Sequence, residues 1–338
     1  MPGRALATLA AWLTAVVPIV RADVDRPHDY SDVVVLAPAT VDAAVTETLE
    51  AEGTLVALAQ REELLPATDD LPPEDLLANE LATNAWEWQW LPAGLIYRSY
   101  MAGVHEPRMA IVAYHEESDR TLWDPTLGGR VGLFRYGDCD PLHPQGFELD
   151  FYGAAVSRLD AERAQDMDST DYVFGFPLTY GAGPTQYKFG YAHLSSHLGD
   201  ELAIRDPNAL DERVNYVRDA IVLGISHFPY PAWRMYGEMG WAFHNSGGAQ
   251  PWEGQFGTEL SRPGPTGRRL APFFAVNARI REEHDFGGDI TAQLGWLRRG
   301  EYGQTLRIGA QYYNGKSSQM QFFRQSEEQI GMGLWYDF

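Results

Sequence analysis

The chain reads as an all-β protein: a transmembrane antiparallel β-barrel of about twelve strands, preceded by a small acidic, partly helical segment. Three observations carry this expectation. The closing residues alternate, with Ile330, Met332, Leu334, Tyr336 and Phe338 on one strand face and Gly331, Gly333, Trp335 and Asp337 on the other. Beyond the N-terminal segment no stretch reaches the ~18 consecutive apolar residues of a membrane helix. The composition is aromatic and glycine-rich (Trp 10, Tyr 17, Phe 15, Gly 33), yet mean hydropathy is only -0.31. Membrane barrels look hydrophilic on average, because only alternate residues meet lipid.

The N-terminus carries an export address. Arg4 precedes an apolar run from Ala5 to Ile19, and Val20-Arg21-Ala22 offers small residues at cleavage offsets. Residues 1–22 therefore read as a secretory signal, too short for a comfortable span. Residues 23–92 read as an acidic periplasmic segment or linker, with Pro-rich punctuation at Leu71-Pro72-Pro73 and a helix expected from Val41 to Leu65. Residues 93–338 would form the barrel. Cys139 is the only cysteine, which excludes an intramolecular disulfide framework. A net charge of -21 excludes nucleic acid as a partner, since phosphate contacts need clustered Lys and Arg.

Short alternating runs define each strand. Phe147, Leu149 and Phe151 oppose Glu148 and Asp150. Tyr172, Phe174, Phe176, Leu178 and Tyr180 share one face, as do Trp233, Met235, Met239, Trp241 and Phe243, with Arg234, Tyr236, Glu238 and His244 opposite. Phe274, Val276, Ala278 and Ile280 oppose Asn277, Arg279 and Arg281, and Leu306 and Ile308 oppose Arg307. This pattern predicts an apolar lipid face, aromatic girdles and a polar lumen. Counting back from Phe338 gives strands at 328–338, 303–314, 287–298, 270–283, 252–262, 231–244, 215–228, 184–197, 169–180, 146–157, 129–137 and 108–116. Tight connections at 181–183, 229–230 and 299–302 would lie on the periplasmic side, and longer ones at 158–168, 198–214 and 315–327 outside. Residues 94–103 would break the even count and are expected as a lead-in or plug. The lumen charges read as a satisfied interior network, with a narrow pore as the alternative.

One strand, 184–197, carries candidate chemistry. Tyr187, Phe189 and Tyr191 have lipid parity, and the same parity continues into His193, Ser195 and His197 at the outer end. A serine becomes a nucleophile when an imidazole accepts its proton and a third group orients that imidazole. Residues two apart on a strand share a face about 6.6 Å apart, so His193 and Ser195 can meet. On the next strand Asn215 and Asp219 have the parity to face the imidazole. His193 and His197, about 13 Å apart, are too distant to chelate one ion. Asp200 and Glu201 could hold calcium together with loop carbonyls.

The terminal strand resembles the closing strand of bacterial outer-membrane barrels, which implies recognition by the barrel-assembly machinery. Tyr191-Ala192-His193-Leu194-Ser195 followed by Asn215 resembles the outer-membrane phospholipase A family, twelve-stranded barrels with a His-x-Ser pair and a neighbouring-strand Asn on the outer wall. That resemblance implies Ser195 as nucleophile, His193 as general base and Asn215 as orienting residue. The chain departs from the family pattern after the serine, with Ser196-His197 in place of Asn-Gly, and has no clear counterpart to its calcium-binding serine. Trp86-Glu87-Trp88-Gln89-Trp90, Tyr97-Arg98-Ser99-Tyr100 and His193-Leu194-Ser195-Ser196-His197-Leu198-Gly199-Asp200 are similar to a family of uncharacterised bacterial outer-membrane proteins, which implies a location and no activity. Two functions follow as expectations: a serine esterase acting on phospholipid or lipid A acyl esters at the outer leaflet, or a non-catalytic pore or structural barrel.

Overall fold

A computed structural model describes residues 85–116 and 120–338, all within the second of two compact units, 68–338. The expected signal at 1–22, the helix at 41–65 and most of the acidic segment lie outside the described residues. Thirteen strands form one antiparallel sheet: β1 (Glu87–Trp90), β2 (Met109–Glu116), β3 (Thr121–Gly137), β4 (Gly146–Asp160), β5 (Asp166–Ala182), β6 (Thr185–Leu198), β7 (Val217–Tyr230), β8 (Trp233–Ser246), β9 (Trp252–Ser261), β10 (Ala271–Arg281), β11 (Gly288–Arg299), β12 (Thr305–Lys316) and β13 (Ser326–Asp337). Strands β2 to β13 each pair with their sequence neighbours, and β13 pairs with β2 from Gln329↔Glu116 to Tyr336↔Met109, so twelve strands close a barrel. Closure pairs these strands on both sides over most of their length, which is what lets a sheet sit in hydrocarbon.

The tight connections at 183–184, 231–232 and 300–304 lie at the mouth that carries Phe338, as expected, but so do the longer connections 138–145 and 262–270. The long loop expected at 158–168 on the other side shortens to 161–165, because β4 and β5 pair further than alternation showed. The longest connection, 199–216, lies at the opposite mouth and holds two short helices, α1 (Asp200–Arg205) and α2 (Pro207–Asp211). Outward-facing residues form an exposed apolar band that includes Leu178, Phe189, Leu223, Met239, Leu294, Ile308 and Met332. Such a band meets lipid in a transmembrane barrel.

β1 corrects the sequence reading, which left Trp86 to Trp90 in the linker. It pairs with the Phe134–Gly137 end of β3, while β2 takes the Thr121–Leu127 part of the same edge. Trp86, Trp88 and Trp90 are exposed and pack on Tyr136, Phe147 and Phe134, extending an aromatic row that continues through Tyr180 and Tyr187. Because β1 and β2 occupy one edge in succession, the chain between them turns into the lumen. The expected plug is there: Ile96, Tyr97, Tyr100 and Ala102 have no exposed surface.

Wall side chains hold this plug by its backbone. Arg135 donates to the carbonyls of Ala93 and Gly94, Glu148 accepts from the Ile96 amide at 3.2 Å, and Arg234 donates to the carbonyls of Arg98 and Ser99. Glu259 accepts from Met101 N at 2.7 Å, and Arg307 donates to Met101 O. The wall charges pair among themselves as Arg135–Glu148, Arg130–Asp150, Arg234–Glu259, Arg279–Asp289 and Arg307–Asp337. Buried backbone without helix or sheet partners needs such donors and acceptors, and buried charges need pairing. The interior is thus a polar network built around the plug.

The opposite mouth is filled by residues 317–323, with Ser317, Gln319 and Met320 fully buried. Plug and loop meet at Asp171, itself fully buried on β5. Its Oδ2 accepts from His105 Nε2 and from the Met320 amide, both at 2.9 Å, while Oδ1 accepts from Ser196. Arg279 can only donate to His105 Nδ1 at 2.8 Å, so the ring proton sits on Nε2 and points at Asp171.

Candidate active site

Antiparallel register decides which polar residues meet on the outer wall. His193 on β6 is directly opposite Asp219 on β7, and Ser195 is opposite Val217. Tyr191, His193, Ser195 and Asp219 all keep the outward parity expected of them, beside the exposed Phe189, Ile221 and Leu223. On its other side His193 lies opposite Phe174 of β5 and stacks on that ring at 4.7 Å between centroids. Packing against Phe174 and bonding to Asp219 together fix the imidazole plane.

Asp219 is the centre of the cluster. Its Oδ1 accepts from Tyr191 Oη at 2.5 Å and from His193 Nδ1 at 2.7 Å, and its Oδ2 accepts from His244 Nδ1 at 2.8 Å. Three charge-assisted hydrogen bonds offset the cost of an ionised carboxylate on an otherwise apolar wall. With Nδ1–H donating to Asp219, neutral His193 presents Nε2 as an acceptor, the tautomer a general base needs. Among the described residues no hydrogen bond joins Ser195 Oγ to His193.

Asn215, the other expected partner of the imidazole, lies just before β7 and is exposed. Its carbonyl accepts from Ser246 Oγ at 3.0 Å, and Asp219, not Asn215, meets His193. The reason is register: Asn215 precedes Val217, the partner of Ser195, and so lies one step beyond the serine. The close approach here uses Gly247, whose φ of +69° and bare Cα let the 247–251 turn pass where a Cβ would sit 2.3 Å from the Asn215 carbonyl. Asn215 also lines an open cavity of about 580 Å³ at this mouth, with Arg213, Phe323 and Arg324.

His244 corrects the alternation, which put it in the lumen beside Glu238. β8 pairs Ala242 with Ala220 but His244 with Asp219, so Phe243 is an extra residue in the ladder. This β-bulge leaves both Phe243 and His244 outside, His244 being 63 % exposed. Tyr191 could have been found by parity alone; His244 could not.

Asp200 and Glu201 open α1, a helix of six residues, and no group of three or more His, Cys, Asp or Glu is poised for a metal ion among the described residues. His197 has its ring against Tyr172, away from the Asp219 cluster.

Comparison with curated proteins finds no match. Among solved structures the chain is similar to outer membrane phospholipase A from Escherichia coli, at 10% identity and a TM-score of 0.45 over 69% of this chain and 94% of that one. An active-site mutant of the same protein is similar at 12% identity and a TM-score of 0.42, over 71% and 92%. The model of one family, described as "Protein of unknown function (DUF1207)", matches residues 62–338, and the chain belongs to that family.

Proposed function

We propose that the protein is an outer-membrane serine acyl hydrolase acting on phospholipid or lipid A esters at the outer leaflet. The observation that carries this reading is the 2.7 Å hydrogen bond from His193 Nδ1 to Asp219 on the lipid-facing wall, with Ser195 on the same face of the same strand. In the reaction Ser195 Oγ attacks the ester carbonyl carbon while His193 Nε2 takes the hydroxyl proton. The tetrahedral intermediate collapses with loss of the alcohol, which takes that proton from the imidazolium. Water, deprotonated by His193, then cleaves the acyl-serine, releasing the fatty acid and restoring the hydroxyl. Asp219 holds the tautomer and stabilises the imidazolium. Asn215, the orienting residue expected from sequence, lines the mouth cavity and would contact the headgroup side of a lipid whose chains lie along the wall.

A second reading, a non-catalytic surface barrel, has its own support. Ser195 and His193 make no hydrogen bond, and Asp219 joins β6, β7 and β8 through His193 and His244 whether or not chemistry follows. The occupied lumen supports a wall function over a pore. Assay of purified protein in mixed micelles separates the two readings: release of fatty acid that disappears in Ser195→Ala supports the hydrolase, and equal release by that variant removes it.

A further inference from the structure

At the mouth that carries Phe338, the barrel holds more positive charge than its carboxylates neutralise. A cavity of about 50 Å³ is lined there by Arg98 of the plug, Arg234 of β8 and Arg299 of β11, together with Glu259 and Asp337. Glu259 is taken by Arg234 at 3.3 Å, and Asp337 is shared by Arg307 at 2.8 Å and Arg108 at 3.1 Å. Neither Arg98 nor Arg299 has an ion-pair partner among the described residues, and no ion pair joins either guanidinium to Phe338 at the rim. Arg98 donates to the Leu142 carbonyl, and Arg299 donates from one terminal nitrogen to Ser261 Oγ at 3.0 Å. Arg299 is only 5 % exposed, and its Nε donor has no acceptor at all.

A buried guanidinium whose nearby carboxylates, Glu259 and Asp337, are already ion-paired with Arg234, Arg307 and Arg108 is costly in any protein and conspicuous in one of net charge -21. Burial, reinforced by the positive charges of Arg299 and Arg234, lowers the Arg98 pKa to about 9. The missing element is negative, carries several acceptor oxygens and fits a space of a few water volumes. We infer that this mouth binds a small oxyanion of phosphate size, held between Arg98 and Arg299 with Arg234 behind. The lining charges all face the lumen, so the ligand enters from water and not from the lipid wall. Planar guanidiniums approaching from separate elements suit the several oxygens of such an anion.

The test is calorimetric titration of inorganic phosphate into purified barrel in nonionic detergent, against sodium chloride at matched ionic strength. The expected result is one saturable site, at least tenfold weaker in Arg299→Gln and in Arg98→Gln, and unchanged in Arg213→Gln at the opposite mouth. Heat-modifiable gel mobility verifies folding. If Arg299→Gln does not fold, Arg98→Gln decides, because Arg98 belongs to the plug and not to the wall. Phosphate heats no larger than those of chloride, or equal affinity in the folded variants, overturn the inference.

Discussion

Asp219 and His244 meet at 2.8 Å across β7 and β8 because β8 carries one residue more than its partner strand at Phe243. Without that bulge, period-two alternation would turn His244 into the lumen. With it, one carboxylate on β7 joins the His193 imidazole and Tyr191 hydroxyl of β6 to the His244 imidazole of β8. Both imidazoles then present Nε2 away from the carboxylate, and each has a serine two residues on along its own strand face, Ser195 for His193 and Ser246 for His244. The Ser246 hydroxyl donates to the Asn215 carbonyl.

Replacing Asp219 with Asn keeps the shape of the cluster but permits the wrong imidazole tautomer. Under the hydrolase reading, turnover should fall by roughly 10⁴, the scale of such a change in a serine triad. Steady-state hydrolysis of a lipid ester in micelles measures it; a drop below tenfold would show that Asp219 does not orient a catalytic base.

His244→Ala removes one of the two donors to Asp219 that are imidazoles and leaves the His193 bond in place. Loss of one charge-assisted bond of about 1.5 kcal/mol corresponds to about a tenfold slower rate. The effect should be smaller than that of Asp219→Asn in the same assay, and the order of the two variants is the prediction.

Glu148 neutralises Arg135 and also accepts from the Ile96 amide of the plug. Glu148→Ala leaves a buried guanidinium unpaired and should cost about 3–5 kcal/mol in urea unfolding. The double variant Arg135→Met/Glu148→Leu, which removes both charges, should recover only part of that loss, because the Ile96 amide and the Ala93 and Gly94 carbonyls of the plug lose their partners.

Asp171 ties the plug to the 317–323 loop through His105 and Met320. Asp171→Asn has one carbonyl oxygen in place of two acceptors and sets an NH₂ against existing donors. Amide exchange at Met320 and in residues 100–108 should accelerate together, by the factor of about 10 that corresponds to ~1.4 kcal/mol of lost protection. Acceleration in only one of the two segments would show that Asp171 does not couple them.

His143 in the 138–145 connection and His284 in the 282–287 connection both have pKa values lowered to about 4, chiefly by burial and then by the Arg98 and Arg281 charges respectively. Each stays neutral in the fold while its unfolded form takes up a proton near pH 6.5. Their contribution to stability is therefore full above pH 6.5 and is lost as pH falls from 6.5 through 4. The urea midpoint of His143→Gln should drop less between pH 7 and pH 4.5 than that of the unmutated protein.

Most of the barrel was legible in the sequence because a sheet with lipid on one side imposes a strict alternation. The turns near 183–184 and 231–232 and the outward face of most strands from β4 to β13 follow from it. Strand β1 was not legible. Four residues with no closing turn resemble a linker, and only the free lower edge of β3 makes them a strand. The plug was visible as an odd segment that spoiled an even count; what holds it, Glu148 and Glu259 binding amides 52 and 158 residues away, was not.

By itself the sequence determined the class of fold, the lipid face of each strand and the placing of His193 and Ser195 on one outer face, since side-chain parity is a local property of extended backbone. The tertiary structure decided what those residues touch. Asp219 in place of Asn215 follows from β6–β7 register, and His244 from a single bulged residue. Arg98 and Arg299, neither with an ion pair of its own among the described residues, come together only where plug and wall converge. Register, bulges and charge balance depend on which distant segments pair, and alternation along one strand carries no information about that.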